Sequence, residues 1–532
     1  MQKKVITSLW IFGFVLCLAQ IWLPTYYVTG DGPCHLYNAQ ILHDNWVNKS
    51  TSFYKNYFDI IYQPDPNWYS TAIFAMLLFV VKGVYAEKIV LTIYMLMYLA
   101  GFHRLLKKVN PDTGWWPLVI FFFLFPHTLA KGFYNFSFSI AFYFWMVLAW
   151  IGFLEKQSIW KGIRFFLFTL LVYFSHLMSF EFGAFTCFGL LISWAYSSYK
   201  EENGLSALSF FFKQLGYLAL VLMPFLLLMF SFSDKQGGLQ LQLHHHFYRL
   251  VELLQFKFAL SVHSYEVPFA YATGIIILLL IVVCLIRFKD KLVVGPYDGL
   301  IIVLVGLVVV YLFFPESFLG RLILITMRVQ PYLYILFVCL IAMMCKYRKL
   351  LNIGAIIIYL SFIAMGISRI NIQLRASDGV KDILSSSSYI KPNSVVLPLN
   401  FSLNGKDEHG NIIADINWLF CHASDYLGMQ KPLIMLDNYE ANIGYFPVRW
   451  KNEQNPYWHL ATYDGIEGLP PSADIDAYKK KTGVDIDYIL LWCWEPKSVQ
   501  DTHFYALYQQ INKSYHLLYT SATNRTMLYQ RN

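Results

Sequence analysis

Apolar runs close to 20 residues long dominate the chain, and they constrain its fold more than any other feature. A run of that length spans the roughly 30 Å hydrocarbon core of a bilayer as an α-helix. Such runs fall at 5–24, 87–106, 115–131, 133–154, 162–179, 182–198, 209–231, 270–286, 298–314, 322–345 and 349–367. Composition agrees: 57% of the 532 residues are hydrophobic and only 14% are charged, against about 25% charged in soluble domains. The net charge of +8 does not indicate nucleic acid, because the basic residues gather at the ends of the apolar runs. Lys3 and Lys4 precede the first run, which is longer than a signal-peptide core and lacks a small-x-small cleavage site. It reads as the first transmembrane helix, with a cytoplasmic N-terminus.

The connectors set sidedness. HRLLKKVN (103–110), EKQSIWKGIR (155–164), RFKDK (287–291) and KYRK (346–349) are basic or mixed, and the positive-inside rule places them in the cytoplasm. Eleven crossings from an inside start satisfy all four and leave the C-terminus outside. Residues 69–83 are apolar but short, and a crossing there would reverse the 103–110 connector. A re-entrant or surface-lying helix and a further hidden crossing are both open. The expected fold is a polytopic α-helical membrane protein of about 11–13 transmembrane helices, with a C-terminal extracytoplasmic α/β domain. The membrane domain covers 1–370, with outer loops at 25–68 and 232–269, and the soluble domain covers 371–532. In the latter, SVVLPL (394–399) and DYILLW (487–492) read as buried strands, and Asn404-Gly405 and Asp464-Gly465 as turns. The segment from His35 to about Asn48 has the spacing of an amphipathic helix.

Polar residues collect at the outer helix ends. Asp31 and His35 follow helix 1, in TGDGPCHL. His127, Lys131, Tyr134 and Asn135 occupy the turn near 131–133, and His176 and Glu181 the turn SHLMSFEF. Arg321 and Arg328 begin the run at 322–345. Ionisable groups in membrane segments are costly and usually serve a cavity or a function. Taken singly, each has an ordinary reading: a helix-ending turn, an interfacial histidine, a snorkelling arginine. Four separate helix ends at one face point instead to a shared wet site. The run His244–His246 reads as loop decoration, and Glu266 beside His263 offers an acid–base or metal pair. In the tail, Asp415, His422, Asp425, Asp437 and Glu440 form a polar patch. The eight cysteines form no CxxC motif; pairing of Cys421 with Cys493 is open.

TGDGPCHL after helix 1, GFYNF (132–136), SHLMSF (175–180) and GRLILITMR (320–328) together resemble the GT-C superfamily of polytopic glycosyltransferases, in particular bacterial members. The resemblance covers about 20–370 as architecture and the tail loosely. Many relatives carry a second acid beside the first, where this chain has Gly32. The resemblance implies transfer of a sugar from a polyprenyl-phosphate donor to a glycan, lipid or protein acceptor on the extracytoplasmic face of a bacterial inner membrane, with inversion. Asp31 is then the general base and His35 its helper. Arg321 and Arg328 hold the lipid phosphate, Lys131 is a second cation, and Tyr134, Asn135, His127, His176 and Glu181 line the donor site. No metal ligand is assigned and no cofactor is required, with a divalent cation left open. The rival readings are a flippase of lipid-linked sugars and a non-catalytic scaffold with an outer binding domain. A flippase needs polar groups along helix centres, and runs such as IIVLVGLVVVYLFF carry none.

Overall fold

The computed structural model describes residues 2–48, 51–201, 204–234, 248–288, 295–318, 321–322 and 324–532. Helix α1 (Gln2–Trp22) is followed by α2 (Gly32–Asn48), α3 (Tyr69–Leu77) and α4 (Gly83–Val109). A 3₁₀ segment (Trp116–Phe123) and the single turn α5 (His127–Ala130) come next. The bundle continues with α6 (Tyr134–Glu155), α7 (Ile159–Ser175), α8 (Leu177–Glu201) and α9 (Gly204–Asp234). It closes with α10 (Tyr248–Leu254), α11 (Val267–Phe288), α12 (Gly299–Phe313), α13 (Ile325–Met344) and α14 (Arg348–Leu384). Each of the eleven apolar runs is thus helical. Among the described residues, eight of these helices are long and apolar enough to cross a membrane, and the chain is an integral membrane protein.

The remaining three, at 115–131, α7 and α12, are shorter apolar helices. The segment at 115–131 is the clearest departure. Pro117 and Pro126 bracket it, and the residue before a proline is turned away from helical geometry. Eight residues of 3₁₀ helix rise only about 16 Å. Residues 116–126 are all buried, so this segment is wrapped by other helices and need not match the lipid. The ambiguous stretch 69–83 contains α3, whose nine residues reach about 14 Å, too short to cross. Helix α8 starts at Leu177, so the turn after α7 contracts to His176, and Glu181 lies inside a helix rather than in a turn.

Helix α14 has 37 residues, about 55 Å, far more than a bilayer core needs. Beyond residue 367 the sequence turns polar, yet Arg369, Ile372, Gln373, Ala376, Val380 and Ile383 remain buried at helical spacing. The same helix therefore runs from the bundle into the C-terminal region, through the expected boundary at 370.

Strand β1 (Phe58–Ile60) lies in the first loop, and β2 (Ser317–Phe318) with β3 (Arg321–Leu322) forms a small hairpin. The C-terminal region supplies β4 (Ser394–Asn400), α15 (Asp425–Gln430), β5 (Leu433–Met435), β6 (Val448–Trp450), β7 (Tyr488–Trp492), β8 (Tyr515–Thr520) and β9 (Thr526–Arg531). Its five-stranded sheet has the order β5-β4-β7-β9-β8. The first three strands are parallel and β9 is antiparallel to both neighbours. Strands β4 and β7, the two apolar runs legible in the sequence, are the buried centre, as strands covered on both faces must be.

The first loop is stitched to this region. Strand β1 pairs antiparallel with β6, and Phe58 packs on Trp450 with ring centroids 4.2 Å apart. The Tyr37 hydroxyl donates to the Leu433 carbonyl and accepts from the Met435 amide. Cys421 and Cys493 are both free thiols.

Candidate active site

Local backbone chemistry fixes Asp31. Its carbonyl accepts from the His35 amide, so it stands just ahead of α2. Gly30 and Asp31 donate their amides to the carbonyls of Ala130 and Lys131, at 3.1 and 2.8 Å. This zips the chain after α1 onto the turn before α6. The zip needs Gly132. Its φ is +87°, and a Cβ there would lie 2.5 Å from the amide nitrogens of Asp31 and Gly32. From the other side, Gln373 of α14 clamps Val28, accepting its N–H and donating to its carbonyl. Ser377 accepts from the Tyr26 amide.

Around Asp31 the C-terminal region completes a buried polar cluster. His35 Nδ1 lies 2.9 Å from Glu440 Oε1, with both side chains almost fully buried. Asn38 donates to the other Glu440 oxygen at 2.9 Å and exchanges hydrogen bonds with Asn438. The Tyr439 hydroxyl donates to Asp31, and its ring stacks on His422 at 4.5 Å. His422 Nε2 is 3.9 Å from Asp31 Oδ1. Asp31 differs from its neighbours in keeping 16% of its side chain exposed, against 4% for His35 and 1% for Glu440 and for His422. It is the carboxylate of this cluster that an incoming molecule can touch.

The electrostatics follow from burial. Burial pushes the Asp31 carboxyl up to about 6; Glu440 adds to this, while the Tyr439 hydrogen bond, His35 and Lys131 oppose it. Burial alone would lower the His35 imidazole, but the Glu440 charge and hydrogen bond, then Asp31 and the Gly132 carbonyl, hold its pKa above the ordinary value. Burial, with the charge of His35, takes His422 down to about 3. Asp31 is thus a carboxylate near its titration point, held between the His35 imidazole and the Tyr439 phenol. That is a proton acceptor suited to neutral pH.

Lys131 acts on Asp31 electrostatically, and a second cation, Arg328, lies beyond Phe133 and Tyr439. Lys131 is joined through its carbonyl to the Asp31 amide, and its Nζ lies 5.8 Å from the Trp418 ring centroid. Arg328, in the first turn of α13, lies over the Phe133 ring at 5.6 Å, and Tyr439 and Tyr445 are in its electrostatic reach. Among the described residues neither side chain has a carboxylate partner, and Arg328 Nε is buried without an acceptor. The chain from Asp31 through Gly132 and Phe133 to Arg328 is continuous.

Other residues singled out in the sequence have different surroundings. The Tyr134 hydroxyl donates to Glu87 of α4 at 2.6 Å and meets Thr29, while its ring stacks behind His35. It is fully buried and faces protein. Asn135 accepts from the Ser70 amide and donates to the Asn67 carbonyl, holding the start of α3. His127 Nδ1 bonds to the Leu260 carbonyl at 2.8 Å and lies 3.1 Å from the Asn417 amide nitrogen, bringing the second loop and the C-terminal region together. His176 caps α7 and packs edge-on against Phe136. Glu181 is exposed. Arg321 sits on β3, with its side chain outside the described residues, as are His244–His246. Glu266 is not an acid–base or metal pair with His263. Its carboxylate takes Arg369 at 2.6 Å and the amides of Ser261 and Val262. His263 turns instead to Asp415.

Glu87, Tyr439 and Glu467 do not stand out in the sequence, Cys421 does so only as an open partner for Cys493, and His422 and Glu440 only as part of a polar patch in the tail. For Tyr439 and Glu440 the signal is a dense set of polar residues, DNYEANIGYF, immediately after a short apolar strand.

A helical bundle with an α/β region docked over the acid just past its first helix is the architecture to set beside known structures. No family model and no curated protein sequence matches the chain. Among solved structures it is similar to ArnT from Cupriavidus metallidurans in the apo state. That match has a TM-score of 0.52 and 11% identity and covers 98% of each chain. ArnT from the same organism bound to undecaprenyl phosphate aligns over 99% of this chain and 98% of that one, at 11% identity and a TM-score of 0.49. At this identity the likeness establishes the fold.

Proposed function

We propose that the protein is a membrane glycosyltransferase that moves a sugar from a polyprenyl-phosphate donor to an acceptor on the extracytoplasmic face. The observation that carries this reading is one accessible carboxylate, Asp31, with Lys131 acting on it and Arg328, whose buried Nε has no acceptor, one aromatic layer away across Phe133 and Tyr439. In the reaction the acceptor hydroxyl gives its proton to Asp31 while its oxygen forms the new bond to the anomeric carbon. The bond from that carbon to the phosphate oxygen breaks, and its electron pair leaves with the lipid phosphate. Arg328 and Lys131 offset the charge that develops there, Arg being suited to two-pronged phosphate contact. A single displacement of this kind inverts the anomeric centre. His35, held by Glu440, orients the base.

Sidedness rests on charge. A cavity of about 650 Å³ at the bundle end opposite Asp31 is lined by His103, Arg104, Lys107, Lys108 and Arg164. The positive-inside rule assigns that end to the cytoplasm. Asp31 and the C-terminal domain, residues 371–532, then face the periplasm of a bacterial inner membrane.

The test uses full-length protein in nanodiscs, polyprenyl-phosphate sugars and a membrane extract as acceptor source. Asp31→Asn should reduce sugar transfer by about 10²–10⁴-fold, the usual weight of a general base, and leave binding of polyprenyl monophosphate intact. Transfer at the wild-type rate by Asp31→Asn would overturn the reading.

A further inference from the structure

Behind Asp31 lies a second cluster that the transfer reaction does not use. Cys421 and His422 sit in the turn ahead of α15, and Glu467 comes from a distant loop. One ligand atom from each lies within 4.8 Å of the other two. Cys421 Sγ is 3.4 Å from one Glu467 oxygen, and His422 Nδ1 is 3.9 Å from the other. All three side chains are more than nine-tenths buried. We infer that Cys421, His422 and Glu467 bind a transition-metal dication, with zinc as the expected occupant.

Although Cys421 donates to Glu467 and Ser424 to Asp437, a cation would give partners to atoms that the protein leaves without one. His422 Nδ1 and Glu467 Oε1 are buried with no hydrogen-bond partner, although they face each other. Asp437 Oδ1 and both oxygens of Asp425 are buried and unpartnered as well. Among the described residues no Lys or Arg pairs with any of these acids. Buried charges are ordinarily paired or ligate metals, because removing an isolated carboxylate from water is very costly. The His35 imidazole nearby is already held by Glu440.

The donor set selects the metal class. Thiolate, imidazole and carboxylate together suit zinc rather than calcium or magnesium, which prefer all-oxygen shells. Contraction by about 1 Å would bring the three atoms to Zn–S near 2.3 Å and Zn–N near 2.0 Å. A fourth position is then left for water or Asp437. Binding releases the Cys421 thiol proton to solvent.

The other imidazole nitrogen gives the site its link to Asp31. A metal on Nδ1 leaves the proton on Nε2, which faces Asp31 Oδ1. A ligating histidine commonly donates its second N–H to a carboxylate, which fixes the ring. Tyr439, stacked on His422 and bonded to Asp31, holds the same geometry. The metal would thus position the base without touching the sugar. That consequence rests on the proposed transfer reaction; the binding site does not.

The test is metal binding by untagged full-length protein in detergent, stripped with a chelator and titrated with Co²⁺. Wild type should take up about one equivalent and develop a thiolate-to-cobalt charge-transfer band that Zn²⁺ abolishes. Cys421→Ser should lose the band, and Glu467→Gln should weaken Co²⁺ binding at least tenfold. Absence of the band in wild type, or its full persistence in Cys421→Ser, would overturn the inference. The wild-type titration needs no variant to fold. Asp31→Asn separates the two claims, since it should keep the metal whether or not it transfers sugar.

Discussion

Replacing Arg328 by Met should make the protein no less stable and much less active, and the two effects follow from the same atom. Arg328 Nε is buried without an acceptor, and the guanidinium has no carboxylate partner among the described residues. An unsatisfied buried donor costs about 1–3 kcal/mol. Its offsetting contact, the stacking on Phe133 at 5.6 Å, contributes about 0.5–1 kcal/mol at such a site. Met has a similar length and no donor, so Arg328→Met should be neutral or stabilising by up to roughly 2 kcal/mol. A hydrogen bond to a charged group contributes about 1.5–3 kcal/mol. Losing one to a lipid phosphate should therefore weaken donor binding by about 10–150-fold.

The assay has two arms. Unfolding in micelles, followed by intrinsic fluorescence, should show a melting temperature equal to wild type or a few degrees higher. Polyprenyl monophosphate binding should fall by the stated factor, and Arg328→Lys should recover part of it because a point charge returns without the planar fork. A lower melting temperature with unchanged phosphate binding would mean that Arg328 is a packing residue, and the phosphate reading would fail.

Acid should slow the proposed transfer. Asp31 acts as its anion and titrates near 6, so transfer should decline as pH drops through that value, and a pH–rate profile measures this. The stability effect of the same group has the opposite sign. A carboxyl whose folded pKa is raised is disfavoured as the anion, so protonation at this site favours the fold as pH falls through about 6. Gly132→Ala should be severe. A left-handed φ costs a non-glycine residue about 1–3 kcal/mol, and the new Cβ collides with the amides of Asp31 and Gly32. Melting and transfer should both decline, transfer further; no change in either would show that the zip does not set Asp31.

The lipid made most of the architecture legible. A membrane fixes how long a run must be, so the eleven apolar runs could be located without knowing what they pack against. The ends were harder. The α14 helix was read as stopping where its residues turn polar, yet Arg369 and Gln373 are buried there because each has a partner far away in sequence: Glu266 for one, the Val28 backbone for the other. The turn at His176 is not legible in the sequence, because Leu177 and Met178 have the same hydropathy whether they end one helix or begin the next. Within the site, Asp31, His35 and Lys131 stood out because polar residues at a helix mouth are rare. Glu440 did not, since in a polar tail a carboxylate is commonplace, and its partner Asn38 lies 402 residues away.

That separation also indicates how the site is assembled. Each half alone would carry buried groups without partners: His35 and Asn38 on α2, and Glu440, Asn438 and Tyr439 in the C-terminal region. Removing one member of a buried ion pair is costly because the other charge is left stranded. Docking the region onto the first loop therefore satisfies these groups and completes the surroundings of Asp31 in one event. The continuous α14 fits this logic. By running without a linker from the bundle into the C-terminal region while clamping Val28 on the way, it fixes the distance between the base and the groups that tune it. A flexible connection at 370 would leave that distance free.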